Sequence, residues 1–139
     1  MTKNKRIILD TNWWISLIIV RFQNKLASVI NNPNIELISC DELEAEIKKV
    51  LAENKIRKYT DAQTTKEFWY YYFEVVKYHK IKSSVILSRD KKDNFLLALA
   101  KDSKADFLIT GDKDLLVLKK FENTSIVTLP QFLNLINKK

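Results

Sequence analysis

Apolar residues fall along this chain in two patterns. Arg6 to Asp10 and Asp106 to Thr110 each enclose three consecutive apolar residues with no polar alternation, as strands buried on both faces of a parallel sheet do. Ile35 to Cys40 and Ser125 to Leu129 read as two further short strands. Leu43, Ile47, Val50 and Leu51 instead recur at three- and four-residue spacing, the mark of a helix with one apolar face. The remaining elements fall between these. Residues 12–30 read as a helix ending at the turn formers Asn31-Asn32-Pro33-Asn34. Asp41 is placed to cap the next helix, with Glu44 at the capping-box position. Residues 54–82 form a helical insertion, Val85 to Leu87 a brief extended piece, and Asn94 to Ser103 a strongly apolar helix opened by Asp93. Gly111-Asp112-Lys113-Asp114 turns into another helix, and a terminal helix begins at Pro130. Alternating strands and helices predict an α/β sandwich around a mainly parallel sheet, with its ligand crevice at the carboxyl ends of the strands.

The chain has 139 residues, enough to fill one core, so a single domain over 1–139 is expected. No apolar stretch is long enough to span a membrane and the start lacks a signal-peptide pattern, so a cytoplasmic protein with no membrane partner is expected. The single cysteine, Cys40, excludes an intramolecular disulfide and reads as a reduced, semi-buried thiol; the single histidine, His79, excludes a His-rich zinc site. A net charge of +7 favours an anionic partner such as nucleic acid.

Against that basic background the acids at strand ends and helix starts stand out. Asp10 closes an apolar strand, so its backbone is buried, and a carboxylate there is costly unless a cation accompanies it. It could equally cap the helix that follows. Glu46 lies at the border of the apolar stripe of its helix, where it can face the sheet or solvent. Asp93, Asp112 and Asp114 each sit at a helix start, where capping and metal binding are both open. Hard Mg²⁺ or Mn²⁺ ions take oxygen ligands and offset the mutual repulsion of such acids. A cluster of this kind inside a basic protein implies metal-assisted hydrolysis of a polyanion, RNA foremost.

Ile7-Ile8-Leu9-Asp10-Thr11-Asn12, the acidic helix around Glu46, Ser88 to Asn94, and Leu108-Ile109-Thr110-Gly111-Asp112-Lys113-Asp114 together resemble a PIN-domain ribonuclease of the VapC-like toxin type. The resemblance implies a three-layer α/β/α sandwich and a catalytic quartet carried here by Asp10, Glu46, Asp93 and Asp112. Asp10, Asp93 and Asp112 would hold one or two Mg²⁺ or Mn²⁺ ions, with Asp114 as an accessory ligand. Asn12, Ser16 and Thr110 would orient carboxylates and water. It further implies an RNA substrate, a homodimer, and a small antitoxin protein as partner.

Eight of the fifteen aromatic residues lie between Tyr59 and Tyr78, among nine Lys/Arg and four Asp/Glu from Lys48 to Lys82, so this stretch can serve either packing or single-stranded RNA. Lys55, Arg57, Lys58 and Lys66, with Arg89 beside the proposed site, are the candidate phosphate contacts. Other chemistries fit less well. A haloacid-dehalogenase-like phosphatase needs an acid where Asn12 stands, a phosphorelay receiver needs adjacent acids at its first strand end, and one glycine excludes glycine-rich nucleotide loops. A Ser-His-Asp hydrolase would rest on His79, which has no nucleophile motif near it. The alternative from another class is a catalytically silent PIN-like protein that binds RNA or a partner.

Overall fold

The computed structural model describes residues 4–19, 25–87 and 90–137. Its elements run β1 (Lys5–Leu9), α1 (Thr11–Ile19), α2 (Lys25–Ile30), β2 (Ile35–Ser39), α3 (Asp41–Leu51), α4 (Asn54–Arg57), α5 (Ala62–Val75) and β3 (Val76–Tyr78). They continue with α6 (Lys91–Ser103), β4 (Phe107–Ile109), α7 (Lys113–Leu116), β5 (Lys120–Phe121), β6 (Thr124–Val127) and α8 (Leu129–Asn137). One six-stranded sheet has the order β3-β2-β1-β4-β6-β5, parallel except for the β5–β6 pair. Register pairs Ile7 with Leu37 on one side and with Phe107 on the other.

From β1 the chain winds outward to β2 and β3, then returns across β1 to β4. Right-handed crossovers therefore put α1, α3 and α5 on one face and α6 on the other, giving the three-layer α/β/α sandwich. The reversal also fixes where a ligand crevice opens: at the carboxyl ends of β1 and β4, where the winding changes direction.

The uninterrupted apolar runs fill the middle layer, with Ile7, Ile8, Leu9, Ile38, Leu108 and Ile109 fully buried. On the α1 face Trp14 packs edge-on against Phe68 and Tyr72, with ring centroids 6.2 and 4.8 Å away. Such ring pairs contribute about 0.5–1.5 kcal/mol each beyond the area they bury. The Tyr72 hydroxyl is not stranded, because it shares a short hydrogen bond with Ser39 of β2. On the other face Leu96, Leu97, Leu99 and Ala100 of α6 close the core.

Several local expectations are corrected. Residues 12–30 are not described as one helix: α1 and α2 flank residues 20–24, which lie outside the described residues. Asp41 does not cap α3; Cys40 holds the cap position without a side-chain bond, and Asp41 is the first helical residue. Glu44 likewise does not turn back to the backbone, since its carboxylate meets better donors, Lys48 Nζ at 2.7 Å and the Tyr78 hydroxyl. Those bonds outweigh its partial burial, which alone would raise it, and hold the Glu44 carboxyl below the ordinary carboxylate range.

The insertion at 54–82 is helical only to Val75, after which Val76–Tyr78 joins the sheet edge beside β2. A three-residue strand that starts directly at a helix end carries no periodicity of its own. Val85 to Leu87 adds no strand, and Ile86 and Leu87 are exposed. The segment leading to α6 is instead held by Asp102, which accepts the backbone N–H groups of Lys82 and Ser83 at 2.6 and 2.8 Å. Cys40 is fully rather than semi-buried, and that burial pushes its thiol up to about 12.

With one glycine available, the chain uses Lys104, Lys119 and Glu122 at left-handed φ values of 56°, 61° and 53°. Lys104 ends α6, where Ala105 N–H reaches back to the Ala100 carbonyl at 3.0 Å, a closure usually left to glycine.

Candidate functional site

Asp10 follows the last residue of β1, and its backbone N–H donates to the Ile109 carbonyl at 3.1 Å, extending the ladder to β4 by one bond. Its own carbonyl accepts from Trp13 N–H at 3.0 Å, so the residue both ends the strand and begins α1. The side chain is thus held at the switch point, only 2% exposed. Oδ2 accepts the Thr110 hydroxyl at 2.6 Å, while Oδ1 is buried with no hydrogen-bond partner among the described residues.

Thr110 performs the same service on the other side. Its N–H is fixed to the Val127 carbonyl at 3.0 Å, and its Oγ1 accepts from Asp112 N–H at 3.0 Å. One buried hydroxyl therefore ties Asp10 to the turn that carries Asp112. Asp112 caps α7, with Oδ1 accepting from Asp114 N–H at 2.9 Å, a bond that aims the Asp112 carboxylate.

Asp93, fully buried, lies in the first turn of α6. Carboxylate oxygens of Asp93, Asp112 and Asp114 lie within 4.8 Å of one another. Like charges held that close repel unless a cation sits among them, and no described Lys or Arg is within ion-pair distance of Asp10 or Asp112. Oxygen-only donors, a triad of acids and the unmet Asp10 Oδ1 fit a hard divalent cation.

The remaining expected residues separate. Glu46, half-buried on α3, is outside that triad and faces a cleft of ≈ 480 Å³ shared with Lys49, Asp90, Lys91 and Phe95. Lys91 and Phe95 share one face of α6, four residues apart, so Glu46 meets α6 in a cleft that Asp10, Asp93, Asp112 and Asp114 do not line. Sequence reading missed that Lys49 and Lys91 line one cleft; the signal available was only that Lys49 is three residues from Glu46 and Lys91 two residues from Asp93. Asn12 is exposed and Ser16 half-buried on α1, and no hydrogen bond joins either to the carboxylates among the described residues. Arg57 and Lys66 share a cavity of ≈ 510 Å³ with Trp69, whereas Lys55 lies 4.0 Å from Glu53 and Lys58 is exposed. Arg89 and Ser88 lie outside the described residues.

The aromatic stretch divides. Phe68 and Tyr72 are core; Trp69 and Tyr71 are half-buried; Tyr59, Tyr70, Phe73 and Tyr78 are exposed. No described helix is long and apolar enough to cross a membrane.

A protein-family model described as PIN domain matches residues 6–114. Among solved structures, the crystal structure of VapBC2 from Rickettsia felis bound to a DNA fragment from their promoter is similar in fold. It has a TM-score of 0.57 and 13% identity, and the match covers 87% of this chain and 96% of that one. A comparison with curated protein sequences found no match.

Proposed function

The chain belongs to the PIN domain family, and we propose that it is a Mg²⁺- or Mn²⁺-dependent endoribonuclease, the toxin of a toxin–antitoxin pair. The observation that carries this reading is the meeting of Asp93, Asp112 and Asp114, with Asp10 joined through Thr110, at the one crevice where the sheet reverses its winding.

Asp10, Asp93 and Asp112 would hold the ion, with Asp114 as an accessory ligand. An ion held there would supply an acidified water for in-line attack on a phosphodiester and offset charge on the phosphate oxygens. The chain's own residues do the arranging. Thr110 holds Asp10 Oδ2 and the Asp112 backbone in one register, so two carboxylates from different strands keep their separation. Glu46, in a cleft with Asp90, Lys91 and Phe95, would accept a proton from water or orient it. Asn12, exposed in the first turn of α1, and Ser16, a turn further along it, would supply polar contacts to substrate or water.

The likeness to VapBC2 and the net charge of +7 support a small antitoxin partner and an RNA substrate, respectively, for a cytoplasmic homodimer. The test is cleavage of RNA by purified protein across Mg²⁺ and Mn²⁺ concentrations. Cleavage that is lost in Asp10→Asn and Asp93→Asn and only weakened in Asp114→Asn is the expected result. No cleavage at any metal concentration leaves the silent RNA- or partner-binding alternative. A short open reading frame next to the gene is the corresponding expectation for the toxin role.

A further inference from the structure

The two sides of α3 present different chemistry. Glu46 and Lys49 face a cleft shared with Asp90, Lys91 and Phe95, whereas Glu44 and Lys48 face α5 and β3, where Lys48 Nζ lies 5.6 Å from the Trp69 ring centroid. From Trp69 a row of near-parallel rings continues to Phe73 at 5.6 Å and on to Tyr78 at 6.3 Å, with interplanar angles of 26° and 22°. Phe73 and Tyr78 are 51% and 41% exposed, and Tyr70, on the same helix, is 75% exposed. Trp69 packs on the core, and Phe73 and Tyr78 touch the buried Tyr72 ring at 5.5 and 6.4 Å, but core packing does not account for the exposed area that Tyr70, Phe73 and Tyr78 keep.

At the Trp69 end of the row lies the ≈ 510 Å³ cavity that also holds Arg57, Lys66, Thr60 and Thr65. Its one acid, Asp61, accepts the Thr64 N–H as the α5 cap, and no described carboxylate is within ion-pair distance of Arg57 or Lys66. Two such cations, two hydroxyls and an aromatic edge suit a phosphate, the guanidinium offering a fork of donors to its oxygens. The surrounding stretch from Lys48 to Lys82 is basic, nine cations to four acids, which favours a polyanion over a second copy of this equally basic face.

We propose that the α4–α5 face is a second contact for single-stranded RNA, separate from the acids, in which Arg57 and Lys66 grip a phosphate and the exposed Tyr70–Phe73–Tyr78 surface takes unpaired bases. It rests on the reading of RNA as substrate but not on cleavage. A strand engaging both places crosses α3, about 10 Å wide with its side chains, so oligomers below about four nucleotides cannot use both contacts.

The test is fluorescence anisotropy with a labelled twelve-nucleotide single-stranded RNA, in EDTA so that cleavage is absent, using the full chain at several salt concentrations. Arg57→Ala with Lys66→Ala is expected to weaken binding about tenfold or more and to lower the salt slope by about 0.7, one single-strand phosphate contact. Phe73→Ala is expected to weaken it by about fivefold or more with the slope unchanged. Melting curves check that each variant folds. Unchanged affinity in both variants overturns the proposal and leaves the nuclease reading standing. Wild-type binding without cleavage in Mg²⁺ or Mn²⁺ sinks the nuclease reading and leaves this contact intact. Loss of a dimer in Phe73→Ala, with RNA affinity unaltered, overturns it in favour of a contact between copies.

Discussion

Asp10→Asn should change sign with metal. Asp10 is 2% exposed, and its carboxylate receives one hydrogen bond, from Thr110 at 2.6 Å, and keeps Oδ1 without a partner among the described residues. Burying an ionised carboxylate costs several kcal/mol even after relaxation, of which one charge-assisted hydrogen bond returns roughly 1.5–3 kcal/mol. Asparagine has the same shape and still accepts from Thr110, so it removes the uncompensated charge and leaves an amide N–H₂ whose unmet donors cost about 1–3 kcal/mol. The metal-free variant should therefore be the more stable by about 1–2 kcal/mol. At about 2 cal/mol/K of unfolding entropy per residue, 139 residues convert each kcal/mol into roughly 3–4 °C, so Tm in EDTA rises by about 3–8 °C. With Mn²⁺ at a hundred times its Kd the wild type gains about 2.7 kcal/mol, close to 9 °C, and the variant gains little. Differential scanning fluorimetry in EDTA and across a Mn²⁺ titration measures both arms. An Asn variant that melts lower in EDTA, or that responds to Mn²⁺ as fully as the wild type, refutes the argument that Asp10 is strained in the absence of a cation.

Thr110→Val keeps the volume and deletes the hydroxyl shared by Asp10 and Asp112, so urea unfolding in EDTA should show a loss of about 1.5–3 kcal/mol and metal affinity should fall with it. Cys40 supplies an alkaline signature. Its folded pKa is raised by burial from 9.0 to about 12, so between those values the unfolded chain has lost a proton that the native state retains. Stability from this group is complete below pH 9 and falls by about 1.4 kcal/mol per pH unit above it, and Cys40→Ala should flatten that part of the pH–stability curve. Lys104→Gly should stabilise the fold by about 0.5–1 kcal/mol by relieving the left-handed φ of 56° after α6, a gain that chemical denaturation resolves.

Much of the layer order was legible because it depends on local pattern. Two three-residue apolar runs and intervening helical periodicity specify buried strands joined by crossovers, and the handedness of crossovers then places the crevice. The places of Asp10, just after β1, and of Asp112, in the turn between β4 and α7, were legible for the same reason, since each follows directly from a strand that local pattern reveals. Glu44 was misread because the donors that claimed it, Tyr78 and Lys48, come from a strand that sequence pattern did not reveal and from a competing turn of the same helix. Cys40 was misjudged in degree because its burial depends on the helices that cover the end of β2.

What the sequence determined by itself, then, was the alternation of elements, the basic surface and the residue types able to hold a hard cation. Tertiary structure decided which of them meet. Asp93, 83 residues from Asp10 and carried on the opposite layer, joins Asp112 and Asp114 within 4.8 Å, while Glu46 lines a cleft that they do not and the aromatic stretch is split between core and surface. Local pattern reports whether a side chain lies on an apolar face; distances between layers follow from how those faces pack, and that information is spread over the whole chain.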